Sequence, residues 1–182
     1  MKVTPTAIPD VCIVEPKVWA DGRGFFLEIW HSDRFAQAGI DHSFVQDNHS
    51  RSVRGTLRGL HYQIEQVQGK LVRVVTGRIF DVAVDLRHGS GTFGHWIGTE
   101  LSEDNHRQLW VPPGFAHGFY VLSEQADVVY KCTAYYSAEH ERTLRWDDPE
   151  LAIEWPLIGG SPPLLSEKDA AGLPLRLAPT YP

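Results

Sequence analysis

Apolar and polar positions alternate with a period of two over much of the chain. In Ile79–Leu86 one row holds Phe80, Val82, Val84 and Leu86, and the other Asp81, Ala83 and Asp85. That is the spacing of a β-strand with one face turned to a core. Phe25–Trp30 repeats it, with Phe25, Leu27 and Ile29 opposite Phe26, Glu28 and Trp30. Val11–Glu15, Lys70–Val75, His95–Leu101, Gln108–Val111, Phe115–Leu122 and the strongly β-prone Asp127–Tyr136 read as further strands. Phe44–Ser50 is extended and turns polar at its end, and Arg51–Thr56 reads as a loop. Turn residues punctuate the pattern: Pro16, Asp21-Gly22-Arg23-Gly24, Thr76-Gly77, Gly89–Gly94 and Pro112-Pro113-Gly114.

Helical signals are few. His31–Gly39 has Ser32 as a candidate N-cap, Asp33 in its first turn and Gly39 to end it. Leu144–Trp146 leads to an acidic turn at Asp147–Glu150, and after Trp155 the chain is rich in Gly and Pro, with one short capped segment at Ser166–Ala171. Many short strands, regular turns and few helices predict an all-β sandwich or barrel of the jelly-roll type. No repeat, low-complexity segment or linker divides the chain, and 182 residues suit one domain spanning 1–182.

The stretch Leu57–Gln63 breaks the rule that inward places are apolar. It alternates, with Leu57, Gly59, His61 and Gln63 opposite Arg58, Leu60 and Tyr62. An imidazole and a guanidinium among leucines need a partner or a ligand, because a buried polar group without one is costly. Strict alternation puts Arg58 and His61 on opposite faces, so both meet one ligand only where the strand bends or twists, with Gly59 the natural place.

Charge and motifs narrow the chemistry. A formal net charge of −6 argues against nucleic-acid binding, while leaving room for an anionic small ligand where cations gather locally. Cys12 and Cys132 stand far apart without a CxxC pattern, against both a disulfide framework and a zinc site. No signal-type run follows the first residues and no stretch is long enough to span a membrane, so a reduced cytoplasmic setting is expected. There is no GxGxxG, GKS/GKT or GxSxG motif. Nine histidines raise the question of a metal, yet no His-x-His pair occurs, and a site using His61 and His117 would need ligands from distant residues.

Taken singly, the remaining candidates have plainer roles. His61 could be a satisfied core residue, Arg58 a salt-bridge partner and Lys70 a solvated strand end. Tyr130 and Tyr136 could be packing residues, Arg23 and Glu28 a surface pair, and Asp169 a carboxylate near the N-terminus of the segment capped by Ser166. Together they supply a base, a carboxylate to orient it, tyrosines to return a proton and cations to hold anionic oxygen. Those are the parts for abstracting a proton next to a carbonyl.

The motifs carry a more specific likeness. Ile8-Pro9-Asp10-Val11, Glu15-Pro16-Lys17-Val18, Asp21-Gly22-Arg23-Gly24-Phe25-Phe26, Phe44-Val45-Gln46-Asp47-Asn48-His49-Ser50 and Leu57-Arg58-Gly59-Leu60-His61 occur in order. They are followed by Gly69-Lys70-Leu71-Val72-Arg73, Phe80–Asp85, Pro113–Phe119, Tyr130-Lys131-Cys132-Thr133, Tyr135-Tyr136-Ser137 and Leu165–Ala171. This series closely resembles the dTDP-4-dehydrorhamnose 3,5-epimerase family over nearly the whole chain. Tyr62 stands where that family frequently has Phe, and Ile64–Gln68 is the least familiar part.

The resemblance implies a cupin-type β jelly roll with a few short helices, working as a homodimer with exchanged N-terminal strands and without a metal or other cofactor. It implies that His61 is the base, that Asp169 orients it, that Tyr130 is the acid on the opposite face of the sugar, and that Lys70 stabilises an enolate. Arg58 and His117 would line the sugar and phosphate region, and Tyr136 would stack on thymine. Further contacts to the dTDP-sugar would come from Arg23, Glu28, Gln46, Asp47, Asn48, Glu141 and Lys168, with Arg23 and Glu28 serving the neighbouring subunit's site. The activity implied is inversion of C3 and C5 of dTDP-4-dehydro-6-deoxy-D-glucose in dTDP-L-rhamnose biosynthesis. Related alternatives are a 3- or 5-epimerase, or a 3,4-ketoisomerase. A metal-dependent cupin oxygenase and a non-catalytic sugar-binding jelly roll are alternatives of a different kind.

Overall fold

The structure, a computed structural model, describes residues 1–182. Thirteen strands appear in the order β1 (Lys2–Pro5), β2 (Cys12–Glu15), β3 (Val18–Asp21), β4 (Gly24–Leu27), β5 (Gln46–Val53), β6 (Leu57–Gln63), β7 (Lys70–Thr76), β8 (Arg78–Asp85), β9 (Trp96–Ser102), β10 (Gln108–Val111), β11 (Phe115–Val121), β12 (Gln125–Cys132) and β13 (Glu141–Thr143). Helices α1 (Ser32–Gln37) and α2 (Glu167–Ala170) are short. One sheet runs β1-β2-β10-β7-β12-β5 and a second runs β13-β6-β11-β8-β9, while β3 and β4 form a hairpin of their own. The ladders are antiparallel throughout, as the jelly-roll expectation requires.

Alternation decides what each face buries. Val72 and Val74 of β7, Ile79 and Ala83 of β8, Phe115, Phe119 and Val121 of β11, and Ala126 and Val128 of β12 meet between the sheets. The other row of β8, Val82 and Val84, packs outward with Leu60 and Tyr62 of β6 against Leu151, Ile153, Trp155 and Leu175 from the C-terminal stretch. A third cluster joins Leu71 and Trp110 to Phe35 and Ile40, so α1 covers part of the first sheet's outer face. Both faces of β8 are therefore buried, and its polar row is not a solvent face: Asp81 and Asp85 are each 0% exposed. Asp85 accepts from Arg87, Ser90 and Thr92, and Asp81 accepts from His117.

Several boundaries differ from the pattern reading. β5 runs on through Arg51–Val53, expected as loop, because its inward row is polar: Asn48 and Ser50 face a cavity, and the buried Ser52 hydroxyl accepts from Arg58 Nε. β1, β3 and β13 were not marked by alternation. The strand expected over Phe25–Trp30 stops at Leu27, and that over Asp127–Tyr136 stops at Cys132. Helix α1 begins at Ser32, but its N-cap is His31, whose side chain makes no capping bond. Ser166 does cap α2, its hydroxyl accepting from the Asp169 amide at 3.1 Å.

The C-terminal stretch is strapped across β6. The Tyr62 hydroxyl donates to Pro179 O at 2.7 Å, and the Tyr181 hydroxyl donates to Gln63 O at 2.6 Å.

Candidate active site

The cavity opens where the inward rows of both sheets turn polar. β6 supplies its centre, and the pairing with β11 explains how. His61 lies opposite His117, and Arg58 lies opposite Phe119. Three steps along β6 thus match two along β11, so β6 carries a bulge of one extra residue. Residues directly opposite share a face, and His117 and Phe119 are two apart, so Arg58 and His61 emerge on one face despite their odd spacing. Gly59 makes this possible. Its φ is +118°, and a Cβ there would sit 2.6 Å from Gly118 Cα and 2.7 Å from His117 O. The Gly59–Leu60 peptide is cis.

The bulge frees the Gly59 amide from the ladder, and Asp169 Oδ1 accepts from it at 3.3 Å. The same oxygen accepts from His61 Nε2 at 2.5 Å, while Oδ2 accepts from the Ser166 hydroxyl at 2.7 Å. A carboxylate only accepts, so Nε2 carries the ring proton and Nδ1 is the nitrogen free to take another. Burial pushes the His61 pKa down, and Asp169 opposes this without cancelling it. Burial acts to raise the Asp169 pKa, but the bonds from His61, Ser166 and Gly59 outweigh it and hold the carboxyl below its usual range. The pair is thus a neutral imidazole on an ionised carboxylate, the state of a general base.

Tyr130 faces the cavity from β12 in the opposite sheet, and burial pushes its phenol up to about 12, so it keeps its proton. Lys70, on β7, is 8% exposed, and its ammonium donates only to His61 O at 3.3 Å. Burial lowers its pKa. No carboxylate pairs with Lys70, and none pairs with Arg58, whose Nε donates to Ser52 Oγ at 2.8 Å. Two cations without counter-charges face one cavity, which favours an anion there. His117 Nε2 lies 2.8 Å from Asp81 Oδ1.

The mouth is a polar chain. Tyr136 donates its hydroxyl to Glu141 Oε2 at 3.0 Å, and Lys168 donates to Glu141 Oε1 at 2.9 Å. Gln46 Oε1 accepts from the Tyr136 amide at 2.8 Å, and Gln46 Nε2 donates to Asn48 Oδ1.

Most residues expected from the sequence meet here. Gln46, Asn48, His61, Lys70, Tyr130, Tyr136 and Glu141 line one lobe, and Arg58, His117 and Lys168 line the adjoining one. Asp169 stands behind His61, 3% exposed. Three do not reach it. Asp47 lies on the outward row of β5 and pairs with Lys131 at 3.0 Å. Arg23 sits at the β3–β4 turn and pairs with Asp21, and Glu28 pairs with Arg34. The pattern reading missed Ser50, Gln63, Gln68 and Asp81. Ser50 and the two glutamines line the cavity, while Asp81 is fully buried behind His117. Asp81 looked like a solvent-face residue, and only the covering of the second sheet's outer face by the C-terminal stretch explains its inward turn. No three His, Cys, Asp or Glu side chains converge in a metal-binding group. No helix is long and apolar enough to cross a membrane.

Known proteins resemble this chain in sequence and in fold. A family model described as dTDP-4-dehydrorhamnose 3,5-epimerase matches residues 5–176. A Pseudomonas aeruginosa dTDP-4-dehydrorhamnose 3,5-epimerase is 58% identical over 183 residues, covering 100% of both chains. The crystal structure of a dTDP-6-deoxy-D-glucose-3,5-epimerase from Legionella pneumophila, in complex with dTDP-4-keto-L-rhamnose, superposes with a TM-score of 0.93 at 55% identity, over 97% of this chain and 93% of that one. A 3′-monoepimerase from Streptomyces bikiniensis, in complex with dTDP-quinovose, has a TM-score of 0.87 at 34% identity, over 94% of this chain and 87% of that one.

Proposed function

The chain belongs to the dTDP-4-dehydrorhamnose 3,5-epimerase family, and from that premise we propose that it inverts C3 and C5 of dTDP-4-dehydro-6-deoxy-D-glucose in dTDP-L-rhamnose biosynthesis. The observation that carries the reading is the opposition of a neutral His61, backed by Asp169, and a protonated Tyr130 across one cavity, on strands from different sheets.

Both centres flank the C4 ketone, which acidifies their C–H bonds. His61 takes the proton from one face, the electron pair moves onto O4, and the Lys70 ammonium offsets the charge of the enolate. Tyr130 then delivers its proton from the other face, inverting the carbon. Each turn leaves His61 protonated and Tyr130 ionised, so both exchange with solvent before the second centre reacts. The ketone itself supplies the acidity, so the chemistry calls for neither a redox cofactor nor a metal. The unpaired charge of Arg58 supports a role in holding the diphosphate, with His117 and Lys168 beside it, and the half-exposed ring of Tyr136 at the mouth supports stacking on the thymine.

The active unit is a homodimer of single-domain chains with exchanged N-terminal strands, in the cytoplasm. The β3–β4 hairpin forms no ladder with the rest of its own chain, and it exposes Phe25 and Phe26 at 61% and 68% beside Arg23. Such a free apolar arm fits a docking segment that brings Arg23 and Glu28 to the neighbour's cavity. Free thiols at Cys12 and Cys132 suit a reducing compartment.

The test is solvent exchange. In D2O with the 4-keto-6-deoxy sugar nucleotide, NMR should report deuterium entering at both C3 and C5. Exchange at one carbon alone would replace this reading with a single-centre epimerase, a possibility kept open by the fold shared with the Streptomyces protein. Exchange at neither carbon would reject it.

A further inference from the structure

Tyr136 sits on a segment that lacks ordinary support. β12 ends at Cys132, and Ala134, Tyr135 and Tyr136 make no hydrogen bond from main chain to main chain. Side-chain amides hold it instead. Gln68 Nε2 donates to Ala134 O at 2.9 Å, and Gln46 Oε1 accepts from the Tyr136 amide at 2.8 Å. The largest share falls to Gln63. Its Nε2 donates to Tyr135 O at 3.1 Å and to Gln66 O at 2.8 Å, and its Oε1 accepts from the Ser137 amide at 2.8 Å.

Gln63 is the last residue of β6, two places after His61, and it is 2% exposed. Both of its N–H groups and its oxygen are engaged by protein, so it acts through the groups it holds. It grips the peptides on both sides of Tyr136, and it pins Gln66, whose φ of +48° places it in the left-handed region of the loop leading to Gln68. The strand that presents His61 therefore also sets the position of Tyr136.

We propose that Gln63 is a positioning residue that fixes the aromatic platform for the nucleobase at a set distance from the proton-abstracting imidazole, with Gln68 as its lesser partner. This rests on the nucleotide-sugar reading of the site. Gln63→Met keeps the side chain's length and removes all three bonds. The platform then wanders, nucleotide binding weakens, and the chemistry at the sugar continues once substrate is bound.

The experiment measures dTDP affinity by calorimetry and steady-state kinetics for the wild type, Gln63→Met, Tyr136→Ala and the double variant. Loss of three neutral hydrogen bonds should weaken dTDP binding about tenfold. KM should rise in step, with kcat within about twofold. In the Tyr136→Ala background, adding Gln63→Met should change the affinity by less than about twofold, because the ring it positions is gone. Unchanged affinity in the single variant, or an undiminished loss in the Tyr136→Ala background, would overturn the proposal. A wild type that fails to bind dTDP overturns the nucleotide reading, and this inference with it. Should Gln63→Met not fold, Gln68→Met decides on the same measurements: one lost bond predicts about a threefold weakening that Tyr136→Ala abolishes, and no change rejects the idea.

Discussion

Replacing Gly59 by alanine attacks the bulge that brings Arg58 and His61 to one face. A methyl group there would meet Gly118 Cα at 2.6 Å and His117 O at 2.7 Å, both main-chain atoms without a rotamer to change. A non-glycine residue at φ +118° adds about 1–3 kcal/mol of backbone strain. Overpacking adds about 1–3 kcal/mol more. The midpoint of the sum is about 4 kcal/mol, which in a domain of this size lowers Tm by roughly 8–16 °C. The chain can relieve the clash only by smoothing the bulge, and a one-residue change of register sends a strand's side chains to the other face. Activity should then fall much further than stability accounts for at assay temperature. Differential scanning calorimetry and kcat/KM on the purified variant check both. Gly91→Ala is the control, because a Cβ there meets nothing within 4 Å. A Gly59→Ala protein that melts within about 3 °C of the wild type and keeps its kcat/KM would refute the argument.

Asp169→Asn preserves shape but lets an amide N–H face His61, so the ring loses its enforced tautomer; kcat should fall about 10³–10⁴-fold with KM nearly constant, measured by steady-state kinetics. For pH, activity requires neutral His61, whose pKa burial holds below its ordinary ~6.5. A plot of log kcat/KM should therefore fall on acidification only below about pH 7, and any alkaline limb should belong to the Lys70 ammonium, whose pKa burial lowers, and not to Tyr130, whose phenol is pushed up to about 12; a midpoint above 7 on the acid side would contradict the assignment. Stability should decline in the same direction below about pH 6.5, because the unfolded imidazole takes up a proton that the buried one resists, which thermal melts against pH will show. Tyr62→Phe removes the bond to Pro179 O and should cost about 1 kcal/mol, lowering Tm by about 2–4 °C while leaving kcat unchanged.

How much of this was legible in the sequence depended on what each strand faces. β7, β8 and β11 were readable because their inward rows meet a common apolar core. β5 was read too short because its inward Ser50 faces the cavity and its inward Ser52 serves Arg58, and a strand supporting a polar site has the composition of a loop. β13 escaped because its three residues take their order from β6 and not from their own pattern. The union of His61 with Asp169 came from family likeness alone, since nothing in local periodicity joins residues so far apart. The common face of Arg58 and His61 was posed as a question by strict alternation. Only the register with β11 answers it, because a bulge is a property of two strands together.

The span between His61 and Asp169, 108 residues, also has a consequence in time. At about 5–20 residues per second, a ribosome makes Asp169 roughly 5–20 s after His61. Through that interval the strands of both sheets can pair, yet the imidazole and the Gly59 amide have no acceptor. The nascent chain is thus a largely built sandwich with an inert reaction centre, and competence to move protons arrives only when α2 docks.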